Sequence, residues 1–340
     1  MSGGIAHGLP KAELHLHIEG TLEPELIFAL AERNRIALPF PSIEALRAAY
    51  AFTDLQSFLN LYYAAMAVLQ TPADFAELAD AYFRRAQRQG VVHAEIFFDP
   101  QAHTARGVSF ETVIEGLWSV VRASEERYGI TARLIMCFLR DRSVAEAMTT
   151  LEAALPFGER IVAVGLDSAE LGHPPSLFRD VFDRARANGW TTVAHAGEEG
   201  PAEYVWQALD VLRVARVDHG VRSLEDPRLV ARLRDERIPL TVCPLSNVRL
   251  RVVDRLADHP LPLMLENQLL ATVNSDDPAY FGGYIADNYD AVADALGLGA
   301  DTLVDLARNS FEASFLNPQE KAALYARLDA SAATLVNRSA

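Results

Sequence analysis

The chain has almost no cysteine, no surplus of positive charge and no long apolar run, and each absence narrows what its 340 residues can be. Only two cysteines occur, Cys137 and Cys243, each within an apolar stretch. That excludes a disulfide-built scaffold and reads as two buried thiols in a reducing compartment. With 46 acidic against 31 basic residues the formal charge is −15, the wrong sign for a partner with a phosphate backbone. A neutral or cationic small molecule suits such a surface better than nucleic acid. No apolar segment approaches the roughly 20 residues that span a bilayer. The opening residues Met1 to Gly8 have neither the basic cluster nor the apolar stretch of a leader. The expectation is a cytoplasmic protein without a membrane partner, and the sequence does not speak to its oligomeric state.

Half of the residues are hydrophobic and 23% are charged, ordinary for a globular enzyme with a sizeable core. Eight short runs rich in apolar and β-branched residues follow one another: Ala12 to His17, Val91 to Phe98, Ala132 to Leu139, Ile161 to Leu166, Thr191 to His195, Arg216 to His219, Pro239 to Cys243 and Leu269 to Ser275. Most are continuous and not alternating, the pattern of parallel strands covered on both faces. Between them the spacing is helical, as in Phe75, Leu78, Ala79, Tyr82 and Phe83, or in Phe178, Val181, Phe182 and Ala185 before the stop Asn188-Gly189. This alternation predicts an α/β fold, a (β/α)₈ TIM barrel occupying residues 1–340 as a single domain. The interval of about residues 20–90, punctuated by Pro24, Pro39, Pro41 and Pro72, predicts a helical insertion after the first strand. Its aromatics (Phe28, Phe40, Tyr50, Phe52, Phe58, Tyr62, Tyr63) are placed to roof the barrel mouth, although helix packing is the commoner role for each taken singly.

The chemistry gathers at strand ends. His15 and His17 share one strand face because side chains alternate with period two. His195 ends the fifth run and Asp276 follows the eighth, so these residues fall at the C-terminal ends of their strands, where barrel active sites are built. Three imidazoles and a carboxylate suit one divalent ion per chain, zinc first, with iron, manganese and cobalt left open. Glu198, three residues beyond His195, can act as a general acid if buried beside a planar substrate; the alternative is capping a helix near Glu199-Gly200-Pro201. His219 ends the sixth run and can orient or deprotonate a water, or serve only to support the site. Asp277 sits on a turn into Pro278 and can face a substrate ring nitrogen. Of the remaining histidines, His93 reads as a core residue and His7 and His259 as surface residues. His103 and His173 lie in loops near the mouth.

Taken together, Pro10 to His17, His195-Ala196-Gly197-Glu198, Asp218-His219-Gly220, Cys243 to Asn247 and Asn274 to Pro278 resemble the adenosine/adenine deaminase family of the amidohydrolase superfamily. The resemblance runs from about Leu9 to Leu316. It implies zinc held by His15, His17, His195 and Asp276, Glu198 as proton donor to purine N1, His219 beside the attacking water and Asp277 at N7. Two departures concern the substrate. Nucleoside-specific members carry an aspartate where this chain has Glu19, before Gly20, and a glycine where it has Glu170. A longer carboxylate at both points fills the space of a ribose, and Glu170 is positioned to accept the N9–H or N3–H of a free base. On that reading Glu170→Gly opens the site to nucleosides. The chain is most similar to the bacterial adenine deaminase branch. The resemblance thus implies deamination of adenine to hypoxanthine and ammonia in purine salvage. The rivals are adenosine, N6-alkylated adenines and 6-aminodeoxyfutalosine, or a catalytically silent metal-binding barrel.

Overall fold

The apolar runs pair in the order in which they occur. The computed structural model describes residues 5–339; residues 1–4, on which part of the leader expectation rests, lie outside them. Strands β1 (Lys11–His17), β2 (Val91–Phe98), β3 (Thr131–Leu139), β4 (Ile161–Asp167), β5 (Thr191–Ala196), β6 (Arg216–His219), β7 (Leu240–Val242) and β8 (Ala271–Val273) form one eight-stranded sheet, each parallel to the next. Helices lie between them, giving the (β/α)₈ barrel.

Every residue of β1 and β2 is buried. The barrel's own side chains fill the inner face and helices cover the outer one. Phe97, Ile135, Cys137, Ala163 and Val193 form the inner cluster. Their strand neighbours Ile96, Phe98, Leu134, Met136, Phe138, Val164 and Ala194 point outward into the larger core. The same alternation turns Leu14 and Leu16 outward, and His15 inward onto the Phe97 ring at 5.0 Å. Below this layer Arg216 pairs with Glu95, both fully buried. Burial alone would raise the Glu95 carboxyl, but Arg216, His93 and the Phe315 amide hold it down to about 2. Cys137 and Cys243 are buried and free.

β7 is shorter than the run Pro239 to Cys243 by one residue at each end, and β8 is shorter than Leu269 to Ser275 because side chains take over the work of the ladder where it meets β1. Leu14 N–H donates to Asn274 Oδ1 at 3.0 Å, and the Glu13 carboxylate accepts from Ser275 N at 3.1 Å and Ser275 Oγ at 2.9 Å. Beyond that the backbone resumes, with Asp276 N–H to His15 O at 3.0 Å and His17 N–H to Asp276 O at 3.1 Å. This seam closes the ring.

Four helices, Pro24–Asn34, Ile43–Ala48, Leu55–Ala65 and Pro72–Arg88, fill the interval between β1 and β2. Sequence signals start three of them: Ser42 accepts from Ala45 N, Asp54 and Ser57 cap each other, and Thr71 and Asp74 do the same ahead of Pro72. Buried Asp74 also takes Arg33 and Asn34, pinning the first of these helices to the last. The helix Leu55–Ala65 lies over the mouth. Phe58 and Tyr62 pack there on Tyr280, with ring centroids 5.5 and 5.6 Å away. His259 is buried and bonded to Asn247, at 3.1 Å, and not at the surface as its sequence context suggested; it also accepts the Leu261 amide. Among the described residues, no helix is long and apolar enough to cross a membrane.

Candidate active site

Four histidines and an aspartate converge above the inner core. His15 and His17 project from the end of β1, His195 from β5 and His219 from the last residue of β6. Asp276 follows β8 after the chain has left the strand. His219 and Asp276 hold φ angles of 62° and 63°, left-handed conformations uncommon for residues with a side chain. Such strain persists where the surroundings impose it, and here it aims a side chain into the barrel mouth. It also explains how Asp276 and Asp277, adjacent in sequence, both face the same cavity.

The donor atoms lie close together. His15 Nε2 is 3.2 Å and His17 Nε2 3.5 Å from Asp276 Oδ1, and the Nε2 atoms of His17 and His195 are 3.1 Å apart. His219 Nε2 stands 3.9 Å from Asp276 Oδ2 and 3.6 Å from Glu198 Oε2. The opposite ring nitrogens meet acceptors: His15 Nδ1 lies 2.9 Å from Thr241 Oγ1, which itself donates to Asp218 at 2.8 Å. His17 Nδ1 faces Asp167 at 3.5 Å and His195 Nδ1 faces Asp218 at 3.8 Å. The Thr241 hydrogen bond fixes the His15 tautomer that leaves Nε2 free as a ligand, while the two carboxylates stand farther from the His17 and His195 rings and act on them by charge. Burial pushes His17 down to about 4 and His219, helped by His15, down to about 3; His195 is also lowered by burial. Neutral imidazoles result. Burial would raise Asp276, but His15, then His219 and His17, hold it below the usual carboxylate range.

A divalent ion fits this set. His15 Nε2 is buried and has no hydrogen-bond partner, an orphan that burial would penalise unless something else coordinated it. Imidazole nitrogens with one carboxylate oxygen are the donors a borderline-soft ion such as zinc prefers.

Glu198 hangs from the loop after β5. The helix that follows, Ala202–Gln207, begins at Pro201 without a side-chain cap, so Glu198 does not serve it. Its Oε1 is buried without a partner; burial, then Asp276, then Glu170 push its carboxyl well above the usual range. Asp277 is raised by burial and then by Asp276, and its Oδ1 is likewise unpartnered. Leu55, Phe58, Leu59, Tyr62 and Tyr63 roof the cavity; Phe28, Phe40, Tyr50 and Phe52 do not line it.

Three residues expected at the substrate take other partners, and none of them lines the cavity. Glu170 accepts four backbone N–H groups: Gly197 at 2.7 Å on Oε1, and Glu198 at 3.1 Å, Glu199 at 2.8 Å and Gly200 at 2.7 Å on Oε2. A Cβ on Gly200 would stand 2.6 Å from Glu170 Oε1, so that glycine is required by the clamp. Glu19 accepts from Asp99 N at 3.1 Å and faces His103 Nε2 at 2.8 Å. Gly20 leaves room for Asp277, whose Cα is 2.7 Å from where a Cβ would sit. The sequence reading missed Asp99 and Asp167, which line the cavity just after β2 and at the end of β4. The strand-end rule that selected His17 would have selected them. Asp218 and Thr241 were missed because nothing in their local sequence marks them as supports for rings on other strands, His195 on β5 and His15 on β1.

Comparison with known proteins agrees with this geometry. The adenosine deaminase family model matches residues 10–331. A protein from Streptomyces coelicolor named adenine deaminase is 67% identical over 313 residues, 92% of each chain. One of the same name from Sphingopyxis alaskensis is 64% identical over 325 residues, 96% of this chain and 95% of that one. The crystal structure of adenine deaminase from Arthrobacter aurescens superposes with a TM-score of 0.94 at 54% identity, covering 97% of this chain and 99% of that one. An amidohydrolase structure from Burkholderia ambifaria, with bound zinc, gives 0.89 at 28% identity, covering 98% and 94%.

Proposed function

The chain belongs to the adenosine deaminase family and is a deaminase, and on that premise we propose that it hydrolyses adenine to hypoxanthine and ammonia. The observation that carries this reading is the buried Glu198 carboxyl, held 3.6 Å from His219 at the edge of the histidine cluster. His15, His17, His195 and Asp276 are the residues that would hold one zinc ion. When bound, such an ion supplies Lewis acidity that makes water a nucleophile at neutral pH.

The chain's own groups do the rest. Glu198, kept protonated by burial, donates to N1, which draws electrons from C6 and makes it a better target. Asp276 and neutral His219 hold the attacking water against C6 and take its proton. Oxygen bonds to C6, the C6–N6 bond breaks, the amino group leaves as ammonia after receiving that proton, and the second water proton leaves the C6 hydroxyl as the carbonyl forms and restores the acid form of Glu198. Asp277 meets N7. The aromatic roof stacks on the purine and excludes water, which strengthens each of these interactions. Residues 1–340 act on this reading as one catalytic domain, in cytoplasmic purine salvage.

The test is a panel of adenine, adenosine, N6-alkylated adenines and 6-aminodeoxyfutalosine on metal-replete protein, with released ammonia measured. Adenine is expected to lead, with adenosine at least about 10²-fold lower in kcat/KM. A preference for any other member of the panel would sink the assignment. The packing of Gly20 gives a second check. Gly20→Ala is expected to displace Asp277 and cost about 10²-fold in kcat/KM, and wild-type kinetics from that variant would show that Asp277 needs no such room.

A further inference from the structure

The structure assigns the recognition of the free base, as against its N9-substituted forms, to Asp99. This rests on the reading of adenine as substrate and deepens it. The role was expected of Glu170, whose carboxylate is fully engaged by loop amides. Glu19 is turned away toward His103.

The assignment follows from which polar groups of the cavity remain free. With C6 at the ion, N1 at Glu198 and N7 at Asp277, the purine spends its near edge on groups from β5, β6 and the chain after β8. Its far edge, N3 and N9, must meet what is left. That is Asp99, Asp167 and Ser168, from the ends of β2 and β4 on the other side of the ring. The Ser168 hydroxyl already receives Tyr63 OH at 2.8 Å. Both Asp167 oxygens are buried without a hydrogen-bond partner, but Oδ2 stands 3.5 Å behind His17 Nδ1, where it backs a proposed ligand of the ion. Asp99 is the acid of this pair that is not set behind a ligand. It is 2% exposed, lines the cavity, and its Oδ1 is buried with no hydrogen-bond partner. Its own amide is pinned to Glu19, which fixes the direction of the side chain. Burial and the neighbouring Asp167 raise its carboxyl, but an oxygen able to accept remains whether or not the pair holds a proton.

A free purine base carries an N–H on that edge. A nucleoside or a 9-alkyl purine carries carbon there, and would bury the Asp99 oxygen without a donor. Sites built to receive an N–H reject analogues that lack it by far more than sites that only exclude volume.

The experiment compares adenine with 9-methyladenine, whose added group is small. Wild type is expected to favour adenine by about 10⁴-fold in kcat/KM. Asp99→Ala is expected to lower adenine turnover by about 10²-fold while leaving 9-methyladenine no worse, so that the ratio collapses. Parallel loss on both substrates, or an unchanged ratio, would overturn the assignment. Asp99→Leu, close in volume but with no acceptor, carries the same comparison if the alanine variant does not fold, with an unchanged ratio again decisive. Affinities for hypoxanthine and 9-methylhypoxanthine, measured by calorimetry, give an arm that needs no turnover. There Asp99→Ala should weaken hypoxanthine alone, and equal weakening of both counts against the role. Failure of wild type to deaminate adenine would instead strike the proposed reaction, leaving the binding arm to judge Asp99.

Discussion

Glu198→Gln is expected to lower kcat on adenine by about 10²–10⁴-fold, the range a positioned proton donor supplies, while bound metal is unchanged. The glutamine keeps the volume and can still hydrogen-bond through its amide, but it cannot deliver a proton to N1. Glu198 lies past the end of β5, three residues from His195, and its carboxyl lines the cavity next to His219. Burial and then Asp276 push its carboxyl well above the usual range and so favour the protonated form. Metal analysis and hypoxanthine affinity should therefore match wild type even as turnover disappears. Normal kcat from this variant would remove Glu198 from the chemistry, and loss of metal would make it a support for the ligands.

Glu170→Gln is expected to have the next largest effect, and in a direction opposite to the one its sequence context suggested. As a gate, Glu170 would yield broader specificity when cut back to glycine and little change on replacement by glutamine of equal length. As the acceptor of four amides it holds the backbone from Gly197 to Gly200, which carries Glu198. Hydrogen bonds to a charged group contribute about 1.5–3 kcal/mol each. A glutamine must turn an NH₂ group toward at least one of these donors and gives up the charge that organises them. The loop relaxes, and an acid displaced by about 1 Å can cost about 10²-fold in rate. The fall should appear in kcat more than in KM, since Asp277 and the aromatic roof are untouched, and adenosine should gain nothing. A variant that acquires adenosine activity while keeping its adenine rate would restore the gate.

The fold was legible because parallel strands buried on both faces leave short apolar runs that helices separate, and all eight runs coincide with strands. The end of β8 was not, since side chains of Asn274 and Glu13 complete the seam there and such pairings leave no mark in hydropathy. The convergence of His15, His17, His195, His219 and Asp276 was legible for a similar reason: a barrel places strand ends around one point, so residue type and strand position suffice. Partners of carboxylates were harder to read. Glu19, Glu170 and Asp99 all follow strands, and sequence cannot tell which of three neighbouring acids will be consumed by backbone amides and which left facing the cavity. That depends on where the loop from Gly197 to Gly200 passes for Glu170, and on the position of His103 and the Asp99 amide for Glu19, which are three-dimensional facts.

The seam between β8 and β1 has a consequence for when activity can arise. The proposed ligands stand on both sides of it, and the groups that join it, such as Leu14 and Asn274, are 260 residues apart in the chain. During synthesis the first histidines emerge early and wait for almost the entire polypeptide before their carboxylate arrives. Catalysis on this plan is a property that appears late and all at once, so turnover itself reports that the last stave has been set.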